Sequence, residues 1–218
     1  MAQVTDQPDT TVREDPTIKC PVLHHYGMIT TQPDVLIEWY GKVVGVERNL
    51  VTGAFGDGPD SPYGAWVGND TAHHRIAIIR PPGLQDLAYS ERAKYPRVQH
   101  SAWQYPTVAD LMESYERIRD AGIRPVVCTH HGNSVAFYYK DPDGNLVELL
   151  ADAFGDAVRS REYLRTSEEI RRNPMGSLID PDKMLAAYHK GPSDHDLQAR
   201  AFAGEFVPDE TPDLRQLL

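Results

Sequence analysis

The chain has 218 residues, 40% of them hydrophobic and 25% charged, an ordinary composition for one globular domain or two small ones. A formal net charge of −10 leaves no electrostatic footprint for nucleic acid or an anionic membrane, and no apolar run approaches the roughly 18 residues of a membrane span. Two cysteines, Cys20 and Cys128, are too few for a disulfide framework, and the N-terminus lacks the basic-then-apolar pattern of a signal peptide, so a cytoplasmic protein is expected.

Residues 1–19 are polar and aperiodic and read as a mobile arm. From Val22, VLHHYGMIT predicts a strand. PDVLIEWYGKVVG predicts a helix that starts at Pro33-Asp34 and stops at Gly45, with Val35, Leu36, Trp39, Tyr40, Val43 and Val44 at helical spacing. VERNLVTG, YGAWVG and HHRIAIIRPP predict three further strands. The segment from Arg80 to Tyr95 reads as a loop or short helix, and then the order recurs. VQHSAWQY predicts a strand, and TVADLMESYERIRDAG a helix with a Thr107 cap and a Gly122 stop. IRPVVC, SVAFYY and NLVELLAD predict three strands, the last two joined by the turn KDPDGN.

Two units of the same order indicate an internal repeat of βαβββ modules, spanning about 22–80 and 98–152 within a domain of residues 20–152. Residues 153–218 read as a helical C-terminal extension, with helix starts at Ser167-Glu168-Glu169 and Asp180-Pro181 and a further helix at DHDLQARAFAG. Such an extension is expected to cover a sheet edge or a neighbouring subunit.

Nine histidines are the unusual feature, and seven cluster at His24/His25, His73/His74, His100 and His130/His131. Adjacent strand residues face opposite ways, so one member of each pair can face a shared interior. His25 and His100 hold matching positions in the first strand of each module, and a pseudo-twofold repeat would bring them together. Around the last hairpin, Tyr138 and Glu148 fall opposite each other on one face. Glu148 sits in an apolar strand; it either faces water at an edge or faces inward and needs a cation. Two imidazoles and a carboxylate leave coordination positions free, as in non-haem Fe(II) enzymes.

The segments LHHYGMITTQPDVLIEWYGKVVGVE and DPDGNLVELL resemble the opening and closing elements of the vicinal oxygen chelate superfamily (glyoxalase/bleomycin resistance/dioxygenase fold), over roughly Val22 to Asp152. HHRIAI and HGNSVAFYYKDPDGN are similar to segments of its type I extradiol ring-cleaving dioxygenases (catechol 2,3-dioxygenase-like), although most well-studied members carry four modules and this chain two. The resemblance implies an α+β fold in which the two modules form a half-open mixed β-barrel around a metal site. It implies an Fe(II)-dependent enzyme, or less often Mn(II), that cleaves a catechol-type aromatic diol with O2. His25, His100 and Glu148 would be the metal ligands, His74 the acid/base, and His131 and Tyr138 the residues that contact substrate. Tyr89, Trp103 and Tyr105 are candidate aromatic contacts, while His24, His73 and His130 would point away from the metal. A homo-oligomer is expected. A glyoxalase-type isomerase or lyase, or a metal-free protein that binds aromatic molecules, are the alternatives on the same fold.

Overall fold

The computed structural model describes residues 23–52, 63–85, 91 and 98–217. The expected arm at 1–19, Cys20, and Tyr89 with most of the segment that follows Leu84 lie outside the described residues.

The first module runs β1 (Tyr26–Ile29), α1 (Pro33–Val44), β2 (Glu47–Thr52), β3 (Tyr63–Gly68) and β4 (Ile76–Arg80). The second runs β5 (His100–Tyr105), α2 (Val108–Asp120), β6 (Val127–His130), β7 (Ser134–Lys140) and β8 (Leu146–Asp152). Their sheets have the same order, β1-β4-β3-β2 and β5-β8-β7-β6. In each, the first strand runs parallel to the last and the other pairings are antiparallel. The α+β architecture and the internal repeat are therefore as the element pattern predicts. The expected half-open barrel is seen as two mixed sheets, with no closed barrel among the described residues.

Both module helices form where the sequence places them. Pro33 opens α1 at a position where a backbone N–H has no helical partner, and Gly45 closes it at φ 73°. Thr107 and Asp110 cap α2 reciprocally, with Asp110 N–H to Thr107 Oγ1 at 3.0 Å and Thr107 N–H to Asp110 Oδ2 at 3.1 Å. Orientation comes from packing. Leu36, Ile37, Tyr40, Val43 and Val44 of α1 and Leu111, Met112, Tyr115 and Ile118 of α2 bury into one core shared by both modules. At roughly 1.5–3 kcal/mol for each large apolar side chain buried, these faces far outweigh caps worth about 1 kcal/mol.

The strands bearing histidine pairs are shorter than expected. β1 begins at Tyr26, whose N–H bonds to Arg75 O at 3.2 Å, and β4 begins at Ile76. His24/His25 and His73/His74 therefore sit in the approach to paired strands, where the alternation rule does not apply.

Beyond the second module come α3 (Ala157–Thr166), α4 (Glu168–Arg172), β9 (Ser177–Leu178), α5 (Pro181–Tyr188), α6 (Asp194–Phe202) and a 3₁₀ turn at Leu214–Leu217. Helices α4, α5 and α6 match the sequence expectation and carry side-chain caps from Ser167, Asp180 and Ser193. The short strand β9 pairs antiparallel with β6 and covers that sheet edge. Ile179, Met184, Leu185, Leu197, Ala201 and Phe206 extend the core into the tail.

Candidate active site

The second sheet assembles one polar chain from four strand or strand-end residues. In the parallel ladder Ala102 faces Glu148, and His100 stands two residues before Ala102 on the same face. His100 Nε2 lies 3.1 Å from Glu148 Oε2. Across the antiparallel ladder Tyr138 pairs with Glu148, as the hairpin spacing predicts, and its hydroxyl donates to Glu148 Oε1 at 3.0 Å. His131 Nε2 lies 3.1 Å from that hydroxyl, and His131 Nδ1 lies 2.9 Å from the Pro174 carbonyl oxygen. Burial, followed by the neighbouring Glu148 charge, pushes the Tyr138 phenol well above its ordinary pKa, so the residue is a neutral hydroxyl at any physiological pH.

Glu148 is 7% exposed, yet its two oxygens meet an imidazole and a phenol, neither of which carries a fixed positive charge. A buried carboxylate with no fixed cation beside it is costly, and the position suits a cation.

The first module contributes a separate cluster of four imidazoles. The His25 and His74 ring centroids are 4.1 Å apart, His73 and His74 4.4 Å, His24 and His73 4.5 Å, and His24 and His25 5.2 Å. His24 and His73, expected to point away from the metal, pack on the other two rings, because both pairs lie outside the ladders. His74 is 5% exposed, and its Nε2 is buried without a hydrogen-bond partner. Burial first, then the positive charge His25, His73 and His24 would carry if protonated, holds its pKa below the usual histidine value.

His73 and His74 line a recess with Asn49, Leu50 and Trp66, whereas one end of each cluster lines a separate cavity of about 910 Å³ between the modules, bounded by His24, His25, Tyr26, Met28, His100 and Trp103 among others. The strands approach there, with Tyr26 Oη 3.5 Å from Ser101 Oγ and the Tyr26 and Trp103 rings 6.4 Å apart. His25 and His100 thus line one cavity, with Glu148 bonded to His100. Among the described residues no three His, Cys, Asp or Glu side chains are drawn together closely enough to hold a metal ion. The donor set on the cavity wall, two imidazoles with a buried carboxylate next to one of them, has the chemistry of a site for a borderline transition metal.

Trp103 lines the cavity, whereas Tyr105 is half-buried against the core. His130 is turned the other way: it is 2% exposed, accepts from Gly132 N–H at 2.9 Å through Nδ1, and packs on Phe202. Burial and the neighbouring His131 lower its pKa to about 4. Sequence reasoning gave no role to Pro174, whose part in the chain is played by a backbone carbonyl and leaves no side-chain signal.

The family description Glyoxalase/Bleomycin resistance protein/Dioxygenase superfamily matches residues 22–149, and the chain belongs to this superfamily. It is 33% identical over 184 residues to biphenyl-2,3-diol 1,2-dioxygenase 3 of Rhodococcus globerulus, covering 84% of this chain and 90% of the relative. It is 29% identical over 189 residues to biphenyl-2,3-diol 1,2-dioxygenase 2 of the same organism, covering 87% and 93%. Both similarities run past the 22–149 core into the flanking segments. Among solved structures, a glyoxylase/bleomycin resistance protein/dioxygenase domain from Frankia sp. EAN1pec superposes with a TM-score of 0.50 at 14% identity, covering 63% of this chain and 96% of that one, a likeness of fold. Both of these relatives are named as dioxygenases of a biphenyl diol. Among the described residues no helix is long and apolar enough to cross a membrane.

Proposed function

We propose that the chain is an Fe(II)-dependent extradiol dioxygenase that opens the ring of a catechol-type diol beside its two hydroxyls, consuming O2. The observation that carries this reading is Glu148, a buried carboxylate held by Tyr138 and by His100, which lines one cavity with His25. His25, His100 and Glu148 would hold the metal. Bound there, Fe(II), or Mn(II) in its place, supplies Lewis acidity toward the diol and electron transfer toward O2.

The remaining steps belong to the chain. His74, with its lowered pKa, is neutral near pH 7 and can accept a phenolic proton, then return it to the opening ring. The Tyr138 hydroxyl, backed by His131, orients the substrate oxygen next to Glu148. Tyr26, Met28, Trp103 and Leu146 give the cavity an apolar wall, and about 910 Å³ accommodates a two-ring diol. A biphenyl-type diol, named for both Rhodococcus relatives, is the substrate class favoured by that size.

The register also weighs against a glyoxalase-type isomerase. Ala77 faces Gly27 in the first module as Glu148 faces Ala102 in the second, so the matching carboxylate is replaced by a methyl group. The test is anaerobic reconstitution with Fe(II), then addition of 2,3-dihydroxybiphenyl in air. Yellow semialdehyde-type product with matching O2 uptake is expected; a metal-loaded chain that consumes no O2 with any catechol sinks the reading.

A further inference from the structure

The tail meets the polar chain at a backbone carbonyl. His131 Nδ1 lies 2.9 Å from the carbonyl oxygen of Pro174, in the turn between α4 and β9. A carbonyl only accepts, so Nδ1 carries the hydrogen and Nε2 is the nitrogen presented to Tyr138.

The turn that holds this carbonyl is tightly built. Gly176 N–H bonds to Asn173 O at 3.1 Å, and Asn173 Nδ2 bonds to Gly176 O at 2.9 Å. The fully buried Thr129 hydroxyl lies 3.1 Å from Ser177 O and also contacts Met175 O. Gly176 has φ +70°, and a Cβ there would lie 1.9 Å from His130 O, so the turn is pressed directly on the backbone before His131. Ser177 then pairs with His130 in the β6–β9 ladder. A tail that merely covered an edge would need only the ladder.

We propose that the Asn173–Gly176 turn is a positioning element for the ring-cleaving site: its Pro174 carbonyl fixes the tautomer and orientation of His131, and through it the Tyr138 hydroxyl beside Glu148. The proposal rests on the dioxygenase reading for its kinetic consequence, though not for the tautomer. With Nδ1–H committed to Pro174, His131 turns Nε2 to the Tyr138 oxygen, whose own hydrogen goes to Glu148. Losing the Pro174 contact frees the ring to flip its tautomer and to turn away from that oxygen.

The test uses the full chain with Asn173→Ala, which opens the turn at an exposed residue, and Gly176→Ala, which forces it off His130. In metal-free protein labelled with 15N-histidine, the His131 ring signal of the wild type reports Nδ1 protonated, and both variants shift it toward the Nε2-protonated form. In Fe(II)-loaded protein with 2,3-dihydroxybiphenyl, Asn173→Ala lowers kcat about 10-fold, in the range seen for groups that orient site residues, with little change in KM. In a His131→Ala background the same change alters kcat by less than about twofold. An unchanged His131 ring signal, or losses that multiply fully in the double variant, overturns the proposal. A wild type that cleaves no catechol overturns only the dioxygenase reading, because the ring signals are read without metal.

Discussion

The Tyr138 hydroxyl stands 3.0 Å from Glu148 Oε1, at facing positions of β7 and β8, and this single bond joins the two halves of the candidate site's polar chain. On one side Glu148 meets His100; on the other Tyr138 meets His131. Removing the hydroxyl therefore tests both. Tyr138→Phe keeps the ring packing and strips one partner from a buried carboxylate, which costs about 1.5–3 kcal/mol for a hydrogen bond to a charged group. Metal-free protein should melt earlier by calorimetry, and kcat/KM for 2,3-dihydroxybiphenyl should fall about 10- to 100-fold.

His25→Ala, His100→Ala and Glu148→Ala each remove one proposed ligand. Each variant is expected to lose Fe(II) on gel filtration, measured by elemental analysis, while circular dichroism stays native. Retention of stoichiometric iron by any of the three assigns the metal elsewhere.

His74→Ala separates binding from proton transfer. The residue lies against His25 but is proposed to move a proton and not to hold metal. Iron content should be unchanged and kcat reduced by about 10²- to 10⁴-fold, the usual contribution of an acid/base group. Full activity in this variant contradicts the assignment.

His130 predicts a dependence of stability on pH. Its folded pKa is lowered to about 4 from 6.5, chiefly by burial, so the folded state favours the neutral ring. The unfolded chain binds the proton first as pH falls. Stability is complete above about pH 6.5 and is lost progressively between pH 6.5 and 4, by about 2 kcal/mol at pH 5 for this group alone. Urea unfolding of the wild type and His130→Gln at pH 7.5 and 5 checks the sign. The advantage of the wild type over the variant should shrink on acidification.

Much of the fold was legible from local chemistry. Helix α1 declares itself by Pro33 and Gly45, α2 by Thr107 and Gly122, and the β7–β8 hairpin by a turn whose geometry few residue types allow. The register that sets Tyr138 against Glu148 follows from counting outward from that turn. The α3 helix and the β9 strand were not legible: α3 buries only Ser160, and β9 is two residues long, so neither carries a readable period.

The candidate site divides the same way. By itself the sequence determined the superfamily, the repeated module and the residue types available for chemistry, because period-2 and period-3.6 patterning and turn residues act over short stretches of chain. Only the tertiary structure decided how the histidines group. Ladder bonds begin at Tyr26 and Ile76, which leaves His24, His25, His73 and His74 free to gather, and β6 continues to His130, which turns that ring inward toward Phe202 and leaves His131 facing Tyr138. The Pro174 contact lay furthest from sight, 43 residues along the chain and made by a backbone carbonyl, a group every residue possesses and only packing can aim.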